Sequence, residues 1–183
     1  MAAPTLVATV ASASANSYLT VAAAVTYFNG RLNTSAWDDA YAADVGDCER
    51  ALIMATRRID EEKFKGQPVN PLTDVYVGTG VTTQALKWPR YSTTDDAGWT
   101  YDYDEIPLCI QRATAELALY YLNQGTTDPL QQTGLEGFQH IAIGPLDVTP
   151  VPGYASSDLP DAVREILRPV LYGAGTGFRV VRT

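Results

Sequence analysis

The side chains best suited to proton transfer, nucleophilic attack or metal ligation are few: one histidine, His140, and two cysteines, Cys48 and Cys109. Nucleophilic catalysis needs a base beside the nucleophile and a group that orients the base. No GxSxG, HExxH or papain-like cysteine motif is present to supply that arrangement. The lone His140 therefore reads first as a surface or interface residue. The cysteines lie far apart without CxxC spacing, which argues against a metal site and a disulfide framework and for two reduced, half-buried core thiols. The stretch "GAGTGF", starting at Gly173, has the glycine content of a dinucleotide loop. Its third glycine is misplaced, no strand leads into it and no helix follows, so it reads as a flexible joint. A GxxxxGK[ST] phosphate loop is also missing. The acidic run "YSTTDDAGWTYDYDEIP" invites a calcium reading, with Gly98 as the turn glycine and Asp95 and Asp104 as ligands. The register fails, because Thr93 would fill the first ligand position and Ala97 the fifth. A solvated acidic loop leading into a capped helix is the better reading. No catalytic, metal-binding or cofactor-binding residue is expected, and the chain does not read as an enzyme.

Basic and aromatic residues suggest contacts rather than chemistry. In "RRIDEEKFK", Arg57, Arg58, Lys63 and Lys65 are interrupted by Asp60, Glu61 and Glu62 at helical neighbour spacings. Intrahelical ion pairs account for this pattern, and so does a subunit interface in which alternating charges meet complements on a neighbouring copy. The terminal "FRVVRT" places Phe178, Val180 and Val181 beside Arg179 and Arg182, beyond the glycine joint. It reads either as a disordered tail or as an arm that adds a strand to an edge or docks in a groove of another subunit. In "QALKWPR", Pro89 pushes Trp88 into an extended conformation. The segment is then a strap across the helices, with Trp88 and Pro89 as a structural anchor and Lys87 and Arg90 at its edges. Alternatively, Lys87 and Arg90 touch a neighbouring subunit.

The elements that must position these residues follow from periodicity. The 183-residue length fits one domain over 1–172, extended through 1–15, with a flexible C-terminal arm over 173–183. With 46% apolar and 19% charged residues, a real core is expected. The net charge of -8 opposes non-specific affinity for nucleic acid. No run of 18 apolar residues exists, and "MAAPTLVATVASASANS" lacks a basic n-region and a proper h-region, so a cytosolic origin without membrane contact is expected. Thr20 is a candidate N-cap for "VAAAVTYFNGR", which Gly30 ends. A second helix is expected within "WDDAYAADVGDCERALIMATRRIDEEKFKG", capped by Asp47, with Cys48, Leu52, Ala55 and Ile59 on one face. From Gln67 to Trp99, proline and glycine punctuation predicts a long loop. "DEIPLCIQRATAELALYYLNQG" predicts a third helix, with Pro107 in its first turn and Ile106, Ile110, Ala113, Leu117 and Tyr120 or Tyr121 on one face. Phe138 to Thr149 predicts a projecting β-hairpin around Gly144-Pro145, carrying His140, Ile141, Ile143, Pro145, Leu146 and Val148. A last helix in "LPDAVREILRPVL" is expected with Asp158 as cap, Val163, Ile166, Leu167 and Val170 as its stripe, and Pro169 at its end. The fold class is mainly α: a small antiparallel bundle of about four helices with a long strap, a short hairpin and an extended arm.

Several segments in order, "ANSYLTVAAAVTYFNGRL", "ERALIMATRRIDEEKFKG", "QALKWPR", "IPLCIQRATAELALYYL", "GPLDVTP" and "LPDAVREILRPVL", span most of residues 15 to 171. Together they resemble the head-tail adaptor, or head-completion, proteins of long-tailed bacteriophages, which are sometimes labelled DnaT-like single-stranded DNA-binding proteins. The resemblance implies a helical subunit of a ring, commonly of twelve copies, in the neck of a virion assembled in the host cytoplasm. It implies portal protein on one side, a stopper or tail-completion protein on the other, genomic double-stranded DNA passing through the lumen without specific binding, and no cofactor. The alternative is a single-stranded DNA-binding replication accessory protein. Composition speaks against that label, because a single-strand binder wants a basic groove interleaved with stacking aromatics, and the Tyr and Trp here stand mostly among Asp residues. Within the adaptor reading, the hairpin is expected to touch an adjacent ring and the arm to anchor to the portal.

Overall fold

The computed structural model describes residues 4–69, 83–95, 97–124, 141–143, 146–148 and 159–173. Among these the fold is mainly helical, with α1 (Val21–Phe28), α2 (Ser35–Ala43), α3 (Val45–Asp60), α4 (Leu108–Asn123) and α5 (Asp161–Leu167). The strands are two short antiparallel pairs, β1 (Gln67–Pro68) with β2 (Arg90–Tyr91) and β3 (Ile141–Ile143) with β4 (Leu146–Val148).

Helix α1 begins where Thr20 Oγ1 accepts the Ala23 amide at 3.1 Å, satisfying one of the donors a helix start leaves open. Its inward residues, Ala24 and Phe28, stand four apart on one face. Helix α2 was not expected from the sequence. Trp37 is its one buried residue, and its ring lies 4.7 Å from that of Phe28. A single large anchor on a short helix leaves almost no apolar period to detect.

The cap of α3 also differs from expectation. Asp44 takes the position, its Oδ1 accepting the Gly46 amide at 2.9 Å, while Asp47 lies in the first turn and pairs with Arg50. The helix therefore starts earlier, with Val45 and Gly46 already inside it. Cys48, Leu52, Ala55 and Ile59 are all fully buried, at the helical spacing the sequence predicts. Helix α4 follows Pro107, which tolerates this place because its missing amide hydrogen would have had no partner there. It buries Ile110, Ala113, Leu117 and Ala118. Of the adjacent tyrosines, Tyr121 packs against the core and Tyr120 is exposed.

Helices α3 and α4 form the central pair, with α2 on α3 and α5 on α4. Helix α5 starts after Pro160 and contributes Val163 and Leu167, followed by buried Val170 and Leu171; Asp158 lies outside the described residues. The chain then returns to the end of α3. Phe64 and Leu171 form an antiparallel bridge, the Tyr172 amide donates to the Lys63 carbonyl at 2.7 Å, and the Lys65 amide donates to the Val170 carbonyl at 2.9 Å. At the other end, Asn16 closes the N-terminal segment on itself. Its Oδ1 accepts the Val7 amide at 2.7 Å, and its Nδ2 donates to the Thr5 carbonyl at 2.9 Å.

The expected hairpin is present as β3 and β4, in register Ile141 with Val148, Ala142 with Asp147 and Ile143 with Leu146. His140, Pro145 and the arm from residue 174 onward lie outside the described residues.

Candidate functional site

The strap from Gln84 to Arg90 organises the surroundings of Trp88. The indole is buried between Phe64, at 5.7 Å between ring centroids, and Tyr101, at 6.4 Å, both edge to face. The Trp88-Pro89 peptide is cis. Gln84 Nε2 donates to the Leu86 carbonyl at 2.6 Å and holds the strap's own curve. The Ala85 amide donates to the Ser12 carbonyl at 3.0 Å, tying the strap to the N-terminal segment.

The two basic residues of the strap act on the backbone beyond α3. Lys87 Nζ donates to the Glu62 carbonyl at 2.9 Å. Arg90 is only 8% exposed, so the edge position expected for it gives way to an inward one. Its Nε donates to the Lys65 carbonyl at 2.7 Å, Nη2 to the Gly66 carbonyl at 2.6 Å and Nη1 to the Lys87 carbonyl at 3.2 Å. Carbonyls past a helix end have no intrahelical donor, and a planar guanidinium fork serves several of them at once. Burial draws the Arg90 pKa below its usual value, opposed by Tyr18 and Asp60 nearby. Asp60 takes the Lys87 amide at 2.8 Å and the Tyr18 hydroxyl. Burial, then the Asp60 charge, pushes the Tyr18 phenol well above its ordinary value.

Gly66 is the point of closest approach. Its φ is +72°, and a Cβ there would lie 2.1 Å from the Tyr91 carbonyl oxygen and 2.4 Å from Thr93 Oγ1. Only glycine fits both the turn and the contact.

The remaining interface candidates divide. Arg58 pairs with Glu61 at 3.3 Å and Glu62 at 3.0 Å, and Lys65 Nζ donates to the Pro169 carbonyl at 2.7 Å. Arg57 and Lys63 are exposed. Lys63 borders a charged cavity of about 470 Å³ with Glu61, Arg164, Glu165 and Tyr172, at the root of the C-terminal arm. Elsewhere, Arg31 grips Glu116 with Nε at 2.7 Å and Nη2 at 2.9 Å, and Arg168 lies 3.6 Å from Glu165.

One surface was missed by the sequence reading. Residues 93–95 and 99–101 pair as a small hairpin: Thr94 bridges Thr100, the Asp95 amide donates to the Trp99 carbonyl at 2.9 Å, and the Tyr101 amide donates to the Thr93 carbonyl at 2.9 Å. Asp95 Oδ1 accepts the amides of Ala97 at 2.9 Å and Trp99 at 2.8 Å, so this carboxylate shapes the turn. Trp99, Tyr103 and Tyr91 are 76%, 57% and 44% exposed, and the two tyrosine rings lie 5.3 Å apart. Asp102, Asp104 and Glu105 are exposed beside them. The signal was the spacing of Trp99, Tyr101 and Tyr103 at every second position.

The thiols are poorly placed for nucleophilic attack. Burial, then Asp47, Asp44 and Glu49, pushes Cys48 up to about 11, and burial likewise raises Cys109. Among the described residues, no group of three or more His, Cys, Asp or Glu side chains is arranged to hold a metal ion. Among them, too, no helix is long and apolar enough to cross a membrane.

A family model described as "Putative DnaT-like ssDNA binding protein" matches residues 6–183. No curated protein and no solved structure matches the chain.

Proposed function

The chain belongs to the DnaT-like ssDNA binding protein family, and from that premise we propose that it is a head-tail connector adaptor, a structural rather than catalytic protein of a phage virion. The observation that carries this reading is where the cationic donors point. Lys65, Lys87 and Arg90 donate to carbonyls of their own chain, while Arg31, Arg50, Arg58 and Arg168 face carboxylates of their own chain. Phosphate binding draws on clustered outward Lys and Arg. An acidic chain with these seven basic side chains turned to its own fold is suited to letting DNA pass, since like charge keeps the duplex from adhering.

In this reading about twelve copies close a ring through heterologous contacts between different faces of adjacent subunits. The outward Arg57 and Lys63 are the candidates for that contact. The β3–β4 hairpin touches the next ring, of stopper or tail-completion protein. The arm over 173–183 anchors to the portal, and genomic DNA runs through the lumen. Cryo-electron microscopy of the protein mixed with the portal from the same source, with the protein alone as control, tests it. A ring coaxial with the portal is the expected result, and no association under any stoichiometry would sink the reading.

The family's description and the exposed rings of Trp99, Tyr91 and Tyr103 favour a second reading, single-stranded DNA binding by base stacking. Its weakness is the carboxylates beside those rings. Fluorescence anisotropy with a labelled oligonucleotide separates the two. Affinity that falls steeply with added salt would favour the second reading, because each phosphate contact releases counterions.

A further inference from the structure

A groove of about 350 Å³ opens between α1 and the start of α4. Its lining is mostly apolar, from Leu19, Ala23, Tyr27 and Leu108, and Gln111 and Arg112 add a polar side. Leu108 is 56% exposed there. Arg112 is exposed and has no ion pair among the described residues; Glu116, one turn further along α4, is taken by Arg31 and by the Tyr27 hydroxyl. The groove thus offers an apolar wall and one unpaired cation. Helix α2 presents the complement. Trp37 fixes its inward side, so Ser35, Asp39 and Ala42, at positions i, i+4 and i+7, lie on the opposite side, and all three are exposed. Asp39, like Arg112, has no ion pair among the described residues. Small side chains around a carboxylate let this helix lie close in a groove between two others. Outward positions of α3, α4 and α5 carry longer side chains, such as Arg57, Tyr120 and Glu165, and those of α1, Ala22 and Thr26, carry no charge.

We propose that the outward face of α2 in one copy seats in the α1–α4 groove of the next, its small residues on the apolar lining and Asp39 paired with Arg112. That face points away from its own core, so the groove it enters belongs to another copy. The two surfaces are different parts of the chain, which makes the contact head-to-tail, the kind that closes into a ring. The proposal rests on the ring-forming role proposed for the chain and supplies a pair of faces through which adjacent copies meet. A nine-residue helix makes a small contact, so single pairs are weak and closure into a ring strengthens them.

Sedimentation velocity of the whole chain over a dilution series, without any partner, tests this. Physiological salt is used, because it screens the general repulsion between acidic copies more than a pair in contact. Far-ultraviolet circular dichroism checks that the variants fold. The unaltered chain is expected to associate reversibly past the dimer at its highest concentrations. Asp39→Arg and Arg112→Asp, each alone, set like charges opposite one another and should weaken association at least about tenfold. An equimolar mixture of the two variants puts opposite charges back at every junction when they alternate, and it should associate as the unaltered chain does. Single variants that associate undiminished overturn the proposal, and so does a mixture that stays monomeric. An unaltered chain that is monomeric at every concentration also overturns it, as does growth that stops at the dimer, since the exchange is then mutual and not head-to-tail. The adaptor reading is decided by the mixture with the portal, so its failure is distinguishable from failure of this contact.

Discussion

Arg90 shows how far a residue's role can sit from its place in the sequence. A basic residue after Trp-Pro reads as a strap edge or an interface contact, because exposed arginines are commonplace. What draws it inward, besides the Lys87 carbonyl of its own strap, is the pair of carbonyls at Lys65 and Gly66, contributed by a part of the chain that no local pattern connects to it. Arg90→Ala should lower folding stability by about 2–4 kcal/mol, because buried acceptors lose charge-assisted partners. Urea denaturation measures this, and Arg90→Lys should recover only part of the loss. Gly66→Ala should cost about 2–4 kcal/mol as well, since the new methyl meets backbone that cannot yield and the φ is left-handed. Alkaline pH adds a third residue-scale expectation. Tyr18, Tyr27 and Cys48 all have folded pKa values above their ordinary 10.0, 10.0 and 9.0, with Tyr27 pushed up to about 12 and Cys48 up to about 11. A raised folded value means the unfolded chain releases its proton first. Their contribution is therefore complete below about pH 9 and is lost as pH climbs through 11 and 12. Denaturation midpoints should fall across that window, and Tyr18→Phe should flatten the fall.

At the scale of elements, the long helices were legible because each carries several inward residues on one period. Leu52, Ala55 and Ile59 in α3 and Ile110, Ala113 and Leu117 in α4 state their faces without help from tertiary context. Helix α2 was not legible, because Trp37 is its one buried residue and its partner Phe28 belongs to another helix. The start of α3 was misread for a related reason: Asp44 and Asp47 both precede apolar positions, and only backbone geometry separates cap from first turn. The two are distinguishable in solution. Asp44→Ala should cost about 1 kcal/mol through loss of the cap. Asp47→Ala removes a half-exposed ion pair and should cost less than about 0.5 kcal/mol by the same denaturation measurement. The hairpin around Gly144-Pro145 was readable from alternation. The pairing of residues 93–95 with 99–101 was obscured by Asp95 and Gly98 at its turn, although the aromatic spacing was on view.

For the whole molecule, charge is the property most easily tested. With a net charge of -8 and its described arginines largely held by its own carboxylates and carbonyls, the isolated protein should show no saturable binding to a single-stranded oligonucleotide at physiological salt. Fluorescence anisotropy checks this, and tight, salt-sensitive binding would move the assignment to the replication reading. The candidate site was less legible than the fold, because the exposure of Trp99, Tyr91 and Tyr103 is set by how the loop folds and not by the residue types alone. The closing contact between the two ends of the described core has a further consequence. Lys65 reaches Pro169 across 104 positions, and Phe64 bridges Leu171 in the same place. During synthesis, the seam beside the strap cannot shut until α5 has emerged from the ribosome, because contacts between distant residues wait for the later one to be made. Chains cut short before α5 would leave the side of α4 that α5 covers open to water.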